Sequence, residues 1–221
     1  MNNEILKRIL SSLILIPVAL FFIIKGSYYF NFFILICFLI SSYEWHVMSK
    51  SKKYYLPGFI FIIFSFYTVY YLRNETSGDY IYFKMIFLIC IFTDIGGYLF
   101  GKTFKGPKLT KISPNKTYSG VIGGYLFSII FMSVFFNNLD FVNQFTYVNP
   151  IGLELNLNNF VFIIAISTVS QLGDIIISYF KRLSKIKNTG KIIPGHGGLL
   201  DRIDGMIFAF PITYLIFKIF Y

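Results

Sequence analysis

Apolar residues gather in seven long stretches along this chain, parted by shorter polar segments. The stretches are 9–24, 28–45, 56–72, 81–100, 119–136, 159–180 and 204–220. Each approaches the roughly 20 apolar residues that an α-helix needs to cross a bilayer. Only Lys25, Gly26 and Ser27 part the first two, so a tight turn must join them. The pattern predicts an all-α fold, a polytopic transmembrane helix bundle of about seven spans forming one integral membrane domain over 1–221. Residues 1–90 would supply the N-terminal helices. Residues 91–221 would form a second half carrying two polar loops, 101–118 and 181–203.

Composition agrees with this reading. The chain is 56% hydrophobic and only 14% charged, with mean hydropathy +0.66, more apolar and less charged than soluble domains of this size. Cys37 and Cys90 both fall inside apolar stretches, which disfavours a disulfide framework and a metal-binding pair. Lys7 and Arg8 precede the first apolar run with no small-x-small cleavage site behind it, so an uncleaved helix is expected rather than a signal peptide.

Charge sets the orientation. The N-terminus holds Lys7 and Arg8, the second polar segment Lys50, Lys52 and Lys53, and the fourth Lys102, Lys105, Lys108, Lys111 and Lys116. The sixth holds Lys181, Arg182, Lys185, Lys187, Lys191 and Arg202. Together these are sixteen of the twenty basic residues, all on one side, which the positive-inside rule makes cytoplasmic along with the N-terminus. The opposite loops hold Arg73, Glu75, Asp79, Asp140 and Glu154. Attraction to anionic lipid, about 1 kcal/mol per basic residue near the surface, accounts for much of the cationic excess. It does not account for the carboxylates among it.

Asp94 and Asp174 interrupt apolar runs. An ionisable group at the centre of a spanning helix costs about 2.5–3.5 kcal/mol on insertion scales and usually faces a partner or a wet cavity. Gln171, Asp174, Ser178 and Lys181, spaced 3, 4 and 3, share one helical face. That face is either the lining of a site or a structural polar seam. Asp94 is a site residue or a buried polar partner, and Gly97 and Gly101 behind it suit close helix packing.

The first loop sets five lysines among Gly, Pro, Ser and Thr, a composition suited to phosphate oxygens. In the second, Gly195, His196, Gly197 and Gly198 make a flexible turn whose backbone N–H groups can approach a ligand. Asp201 and Asp204 follow at i and i+3. A helix N-cap explains Asp201 but not Asp204. Carboxylates facing phosphates repel them unless a cation lies between, and Mg2+ takes one or two carboxylates plus phosphates and water. Asp174, Asp201 and Asp204 are the candidate ligands, with Lys181, Arg182 and Lys187 balancing the remaining phosphate charge. His196 is open to three roles: ligand, proton donor to a leaving phosphate, or hydrogen-bonding loop residue.

The run Ser178, Lys181, Arg182, Lys187, Pro194, His196, Gly197, Gly198, Asp201, Arg202 and Asp204 resembles the signature of the phosphatidate cytidylyltransferase (CDP-diacylglycerol synthase) family. Lys7–Arg8, Glu44–Trp45, Asp94 to Gly101, Ile112 to Thr117 and Gln171 to Asp174 are similar to further family elements, and the likeness covers most of 90–210. Three features depart from it: Asn188 stands where the family has Asp, Ser119 where it has Glu, and the stretch between Glu44 and Asp94 is short. The resemblance implies a reaction of CTP with phosphatidate that gives CDP-diacylglycerol and pyrophosphate, with Mg2+ as cofactor. It implies catalytic roles for Asp174, Lys181, Arg182, Asp201 and Asp204, the three aspartates being nearest the metal. Substrate contacts would come from Ser178, Lys187, His196, Gly197, Gly198, Arg202 and Lys116. It also implies a lipid bilayer as partner and no nucleic acid, a homodimer, and a bacterial-type inner (cell) membrane with the site on the cytoplasmic side. Three other readings fit some of the same residues: a cytidylyltransferase for another lipid phosphate, an inactive lipid-binding paralogue, and a transporter with Asp94 and Asp174 on an ion path. The last predicts internal repeats, and none is visible.

Overall fold

The computed structural model describes residues 3–74, 80–137, 156–195 and 197–220. These form helices α1 (Asn3–Lys25), α2 (Ser27–Ser49), α3 (Tyr55–Asn74), α4 (Ile81–Phe104), α5 (Tyr118–Asn137), α6 (Leu157–Leu183), α7 (Leu200–Ile203) and α8 (Met206–Phe220). No strand occurs among the described residues, only two isolated bridges, Lys108 with Thr117 and Ile193 with Gly197. A helix therefore stands on each of the seven apolar stretches. Gly26, at φ 63°, makes the sharp turn between α1 and α2 that the short spacer demanded. Of the acidic residues expected on the outer side, Glu75, Asp79, Asp140 and Glu154 lie outside the described residues.

Length separates the helices. Among the described residues, α2 to α6 are long and apolar enough to cross a membrane, whereas the apolar stretches Leu13–Lys25 and Met206–Ile219 are shorter. The 15 residues of α8 rise about 22 Å, less than the roughly 30 Å of a hydrocarbon core. The span expected over 204–220 also begins later than its apolar pattern suggested, because the short α7 and the Asp204–Gly205 link precede it. Among the described residues, five helices thus have the length and composition of a span, where hydropathy predicts seven.

α4 and α5 form the tightest pair. A Cβ on Gly96 would collide with the Gly123 carbonyl, and one on Gly101 would lie 3.1 Å from Thr117 Oγ1. The packing role expected for the glycines behind Asp94 is thus visible at Gly96 and Gly101. α6 starts at an N-cap, Asn156 Oδ1 accepting from the Asn159 N–H at 2.9 Å. It runs unbroken to Leu183, and Lys185 then turns the chain at φ 59°. One apolar cluster, with Trp45, Met48, Ile62, Phe66, Ile177, Leu200 and Ile207, joins α2, α3, α6, α7 and α8 beneath the two polar loops. Ser65 of α3 donates to the Ile207 carbonyl of α8 at 2.7 Å.

Candidate active site

The unbroken α6 places Gln171, Asp174, Ser178 and Lys181 on one face, as their spacing required. Ser178 Oγ lies 3.4 Å from Asp174 Oδ1. The lysine loop folds onto this face. Leu109 N donates to the Lys116 carbonyl at 2.8 Å and Lys116 N to the Ser113 carbonyl at 3.0 Å, which aims the Lys116 side chain inward. Its Nζ meets Asp174 Oδ2 at 2.5 Å and the Gln171 carbonyl at 3.3 Å. Arg182 Nε reaches toward the Ile112 carbonyl at 3.5 Å and Nη1 donates to the Ile186 carbonyl at 3.2 Å, so Arg182 touches both loops. Of the five lysines in the first loop, Lys116 alone comes to Asp174; Lys102, Lys105, Lys108 and Lys111 are exposed.

Gly173 lets the chain before α8 approach α6. A Cβ there would lie 2.8 Å from the Asp204 carbonyl and 2.7 Å from Phe208 Cδ2. Asp204 is thereby brought beside Asp174. Its side chain is buried, accepts from the Gly205 N–H at 3.0 Å, and stands close enough to the Asp174 carboxylate to feel its charge. Burial first, then the charges of Asp174 and Asp94, push the Asp204 carboxyl well above the ordinary carboxylate range, against the pull of Lys181. Asp94 of α4 keeps an accessible side chain yet stands close enough to Asp174, Lys116 and Arg202 to feel their charges. Three carboxylates, Asp94, Asp174 and Asp204, and three cations, Lys116, Lys181 and Arg202, thus gather at the end of the bundle that carries both loops.

Asp201 has a different setting. Its Oδ1 accepts from Lys181 Nζ at 2.7 Å, with both side chains nearly buried. Its Oδ2 accepts from the Thr189 N–H at 2.8 Å and the Gly198 N–H at 3.1 Å, and lies 3.1 Å from the Thr189 hydroxyl, whose single proton it shares with the nearer Glu44. Both oxygens are engaged within the loop, but not as a helix N-cap: Asp201 lies inside α7, whose N-cap position is Leu199, and its backbone donors precede it in the chain. Among the described residues, no group of three or more Asp, Glu, His or Cys side chains is arranged to hold a metal ion. The structure therefore brings Asp174 and Asp204 together but not the full set Asp174, Asp201 and Asp204.

The glycines differ from expectation in the same way. Gly197 N–H donates to the Ile193 carbonyl at 3.1 Å, and Gly198 N–H to Asp201. Neither backbone donor points to an external ligand; both close the loop on itself. Lys187 and Asn188 are exposed, and Arg202 is exposed with its charge acting on Asp94. His196 lies outside the described residues.

Two residues absent from the sequence-based site organise this loop. Glu44, on α2 and 1% exposed, accepts from the Thr189 hydroxyl, the Leu199 N–H and the Leu200 N–H, each at 2.8 Å. Thr189, also buried, joins Glu44 to Asp201. The available signal was the one used for Asp94 and Asp174, an acid within an apolar run. Glu44 also stood among the residues similar to further family elements, with no role attached to it.

The sequence model of the cytidylyltransferase family matches residues 6–81 and 54–220. The phosphatidate cytidylyltransferase of Rickettsia bellii (strain RML369-C) is 35% identical over 222 residues, covering 97% of this chain and 91% of that protein. That of Rickettsia felis is 34% identical over 225 residues, covering 97% and 93%. The phosphatidate cytidylyltransferase of Staphylococcus saprophyticus is 34% identical over 183 residues, or 81% of this chain and 65% of that protein. With the likeness running nearly end to end and through every element that carries the charged cluster, the chain belongs to the cytidylyltransferase family.

Proposed function

We propose that this protein transfers a cytidylyl group from CTP to phosphatidate, giving CDP-diacylglycerol and pyrophosphate. The observation that carries the reading is the Asp174–Asp204 carboxylate pair set among Lys116, Lys181 and Arg202 at one end of a membrane bundle. Two polyanions can meet only where their charge is neutralised, and one of them must be reached from the lipid. A phosphatidate oxygen forms a bond to the α-phosphorus of CTP while the bond from that phosphorus to the bridging oxygen of the β-phosphate breaks, and pyrophosphate leaves. Positioning and charge neutralisation are the main demands of such a transfer.

The donor chemistry of the pair fits Mg2+, which takes one or two carboxylates and keeps its other positions for phosphate oxygens and water. Asp174 and Asp204 would hold it, and it would supply compensation of phosphate charge. Lys116 orients Asp174, Lys181 fixes Asp201, and Arg182 and Arg202 are the more open cations for phosphate. An apolar cavity of about 180 Å3 between α3 and α6, over α8, supports a lipid acceptor. Phe61, Ile176, Phe180 and Phe208 are among its walls, and Phe208 packs on Gly173 beside Asp174. Basic charge at the loop-bearing end of the bundle favours a cytoplasmic face, with the N-terminus on the same side of a cell membrane.

The deciding experiment is transfer of radiolabel from CTP to lipid by purified protein in detergent, titrated with Mg2+. Label in CDP-diacylglycerol, dependent on phosphatidate and Mg2+, is expected. Transfer to a prenyl phosphate or an ether-lipid phosphate in place of phosphatidate would change the acceptor, and no transfer by folded protein to any of them would overturn the reading.

A further inference from the structure

Glu44 belongs to the N-terminal half, yet its carboxylate lies inside the catalytic loop. It sits on α2, 145 residues before Thr189 and 156 before Leu200. Three donors converge on it from the far side of that gap: the Thr189 hydroxyl and two successive backbone N–H groups, Leu199 and Leu200. Two glycines make room. A Cβ on Gly190 would lie 2.7 Å from Glu44 Oε1, and one on Gly198 would lie 2.5 and 2.6 Å from the two carboxylate oxygens. A phosphate-binding reading of the glycine turn supposed that its open backbone receives an external anion. The anion lodged against Gly198 is the protein's own.

We propose that Glu44 is a positioning residue, an internal anion that sets the Thr189–Leu200 loop and α7 so that Lys181, Asp201, Arg202 and Asp204 keep their register with Asp174. The inference deepens the function proposed above and rests on it only for its kinetic readout. The chain of contacts is continuous. Glu44 holds Thr189, Thr189 holds Asp201, and Asp201 holds Lys181 on the face that carries Asp174. The same ends of α2 and α6 are clamped beside it. Ser184 Oγ donates to the Met48 carbonyl at 2.8 Å and pairs with Tyr54 Oη at 2.8 Å, while Trp45 packs edge-on against Phe180. A carboxylate suits this place because it accepts from several donors at once, whereas an amide of the same shape brings its own donor and leaves one of the three N–H or O–H groups without an acceptor.

The test is amide hydrogen exchange on the full chain in detergent, read by peptide mass spectrometry, together with steady-state kinetics of Glu44→Gln, Glu44→Asp and Thr189→Val. Glu44→Gln should raise exchange at least tenfold in peptides covering 189–202 and leave those of α4 and α5 unchanged. Its kcat should fall at least tenfold with KM for CTP within threefold of the original value. Glu44→Asp, which restores the acceptors on a shorter arm, should recover part of both losses. Thr189→Val should move both readouts in the same direction by less, and it serves if Glu44→Gln does not fold. Unchanged exchange over 189–202 in folded Glu44→Gln would overturn the proposal, as would a rise spread evenly over the whole chain. Absence of CTP-dependent transfer in the unaltered protein would instead overturn the function, and the exchange pattern alone then decides the role of Glu44.

Discussion

Two pairs of acids lie within the same end of this bundle, and they are used in opposite ways. Glu44 and Asp201 are fully supplied with donors: backbone N–H groups, the Thr189 hydroxyl and Lys181. Asp174 and Asp204 lie within reach of each other's charge, with Lys116 paired to Oδ2 of one and burial working against the charge of the other. A buried carboxylate with enough donors is structure. A buried carboxylate left beside another is a standing demand for a cation. The difference teaches that acidic residues three apart in a motif, as Asp201 and Asp204 are, need not share a task.

The largest expected effect tests the satisfied pair. Lys181→Met leaves Asp201 buried without its cation, and removal of one partner from a buried pair costs about 3–5 kcal/mol. Thermal unfolding in detergent should show that loss, and a drop below about 1 kcal/mol would mean that Asp201 does not depend on Lys181. Next, Asp204→Asn should lower label transfer by roughly 10²–10³-fold, the scale of removing one electrostatic group from a reacting centre. The same variant should be more stable than the original protein in chelator, because a repelling buried charge is gone. Lower stability there would place Asp204 with the structural acids.

That pair also has a pH signature. The folded protein holds the Asp204 proton more tightly than the unfolded chain does, since its carboxyl is raised. Protonation therefore contributes stability that is fully present below the ordinary Asp value of about 4 and is lost as pH rises through the raised value. In chelator, the unfolding midpoint of the original protein should decline over that window, and the decline should be absent in Asp204→Asn.

Smaller effects separate the two lysines. Lys116 and Asp174 are 23% and 31% exposed, against 10% and 7% for Lys181 and Asp201. Lys116→Met should therefore cost about 1 kcal/mol of stability or less. Its transfer rate should still fall about tenfold, the worth of one charge-assisted hydrogen bond. Lys108→Ala, on the exposed part of the same loop, should stay within roughly twofold in rate, as surface substitutions usually do. A large loss there would show that the outer lysines also meet the substrate.

Much of the architecture was legible without coordinates because it follows from local rules. Apolar runs of bilayer length announce helices, and the stripe from Gln171 to Lys181 follows from 3.6 residues per turn. Basic loops at one end follow from the alternation of spans. Hydropathy overstated the last span because it is blind to where a helix begins; Asp204 and Gly205 are links, not helix, in the folded chain.

What local rules could not decide was the division of labour among acids. Composition and spacing identified Asp174, Asp201 and Asp204 as carboxylates near phosphate-binding cations, and the motif around them was enough to suggest the family. Only the packing of α2 against the loop, across 155 residues from Glu44 to Leu199, supplies Glu44 with donors, and only the fold of the loop onto α7 and α6 engages Asp201 with Thr189, Gly198 and Lys181. Only the close approach permitted by Gly173 sets Asp204 beside Asp174. A sequence states which groups carry charge, but whether a charge is satisfied depends on donors brought from elsewhere in the chain, and tertiary contact alone supplies them.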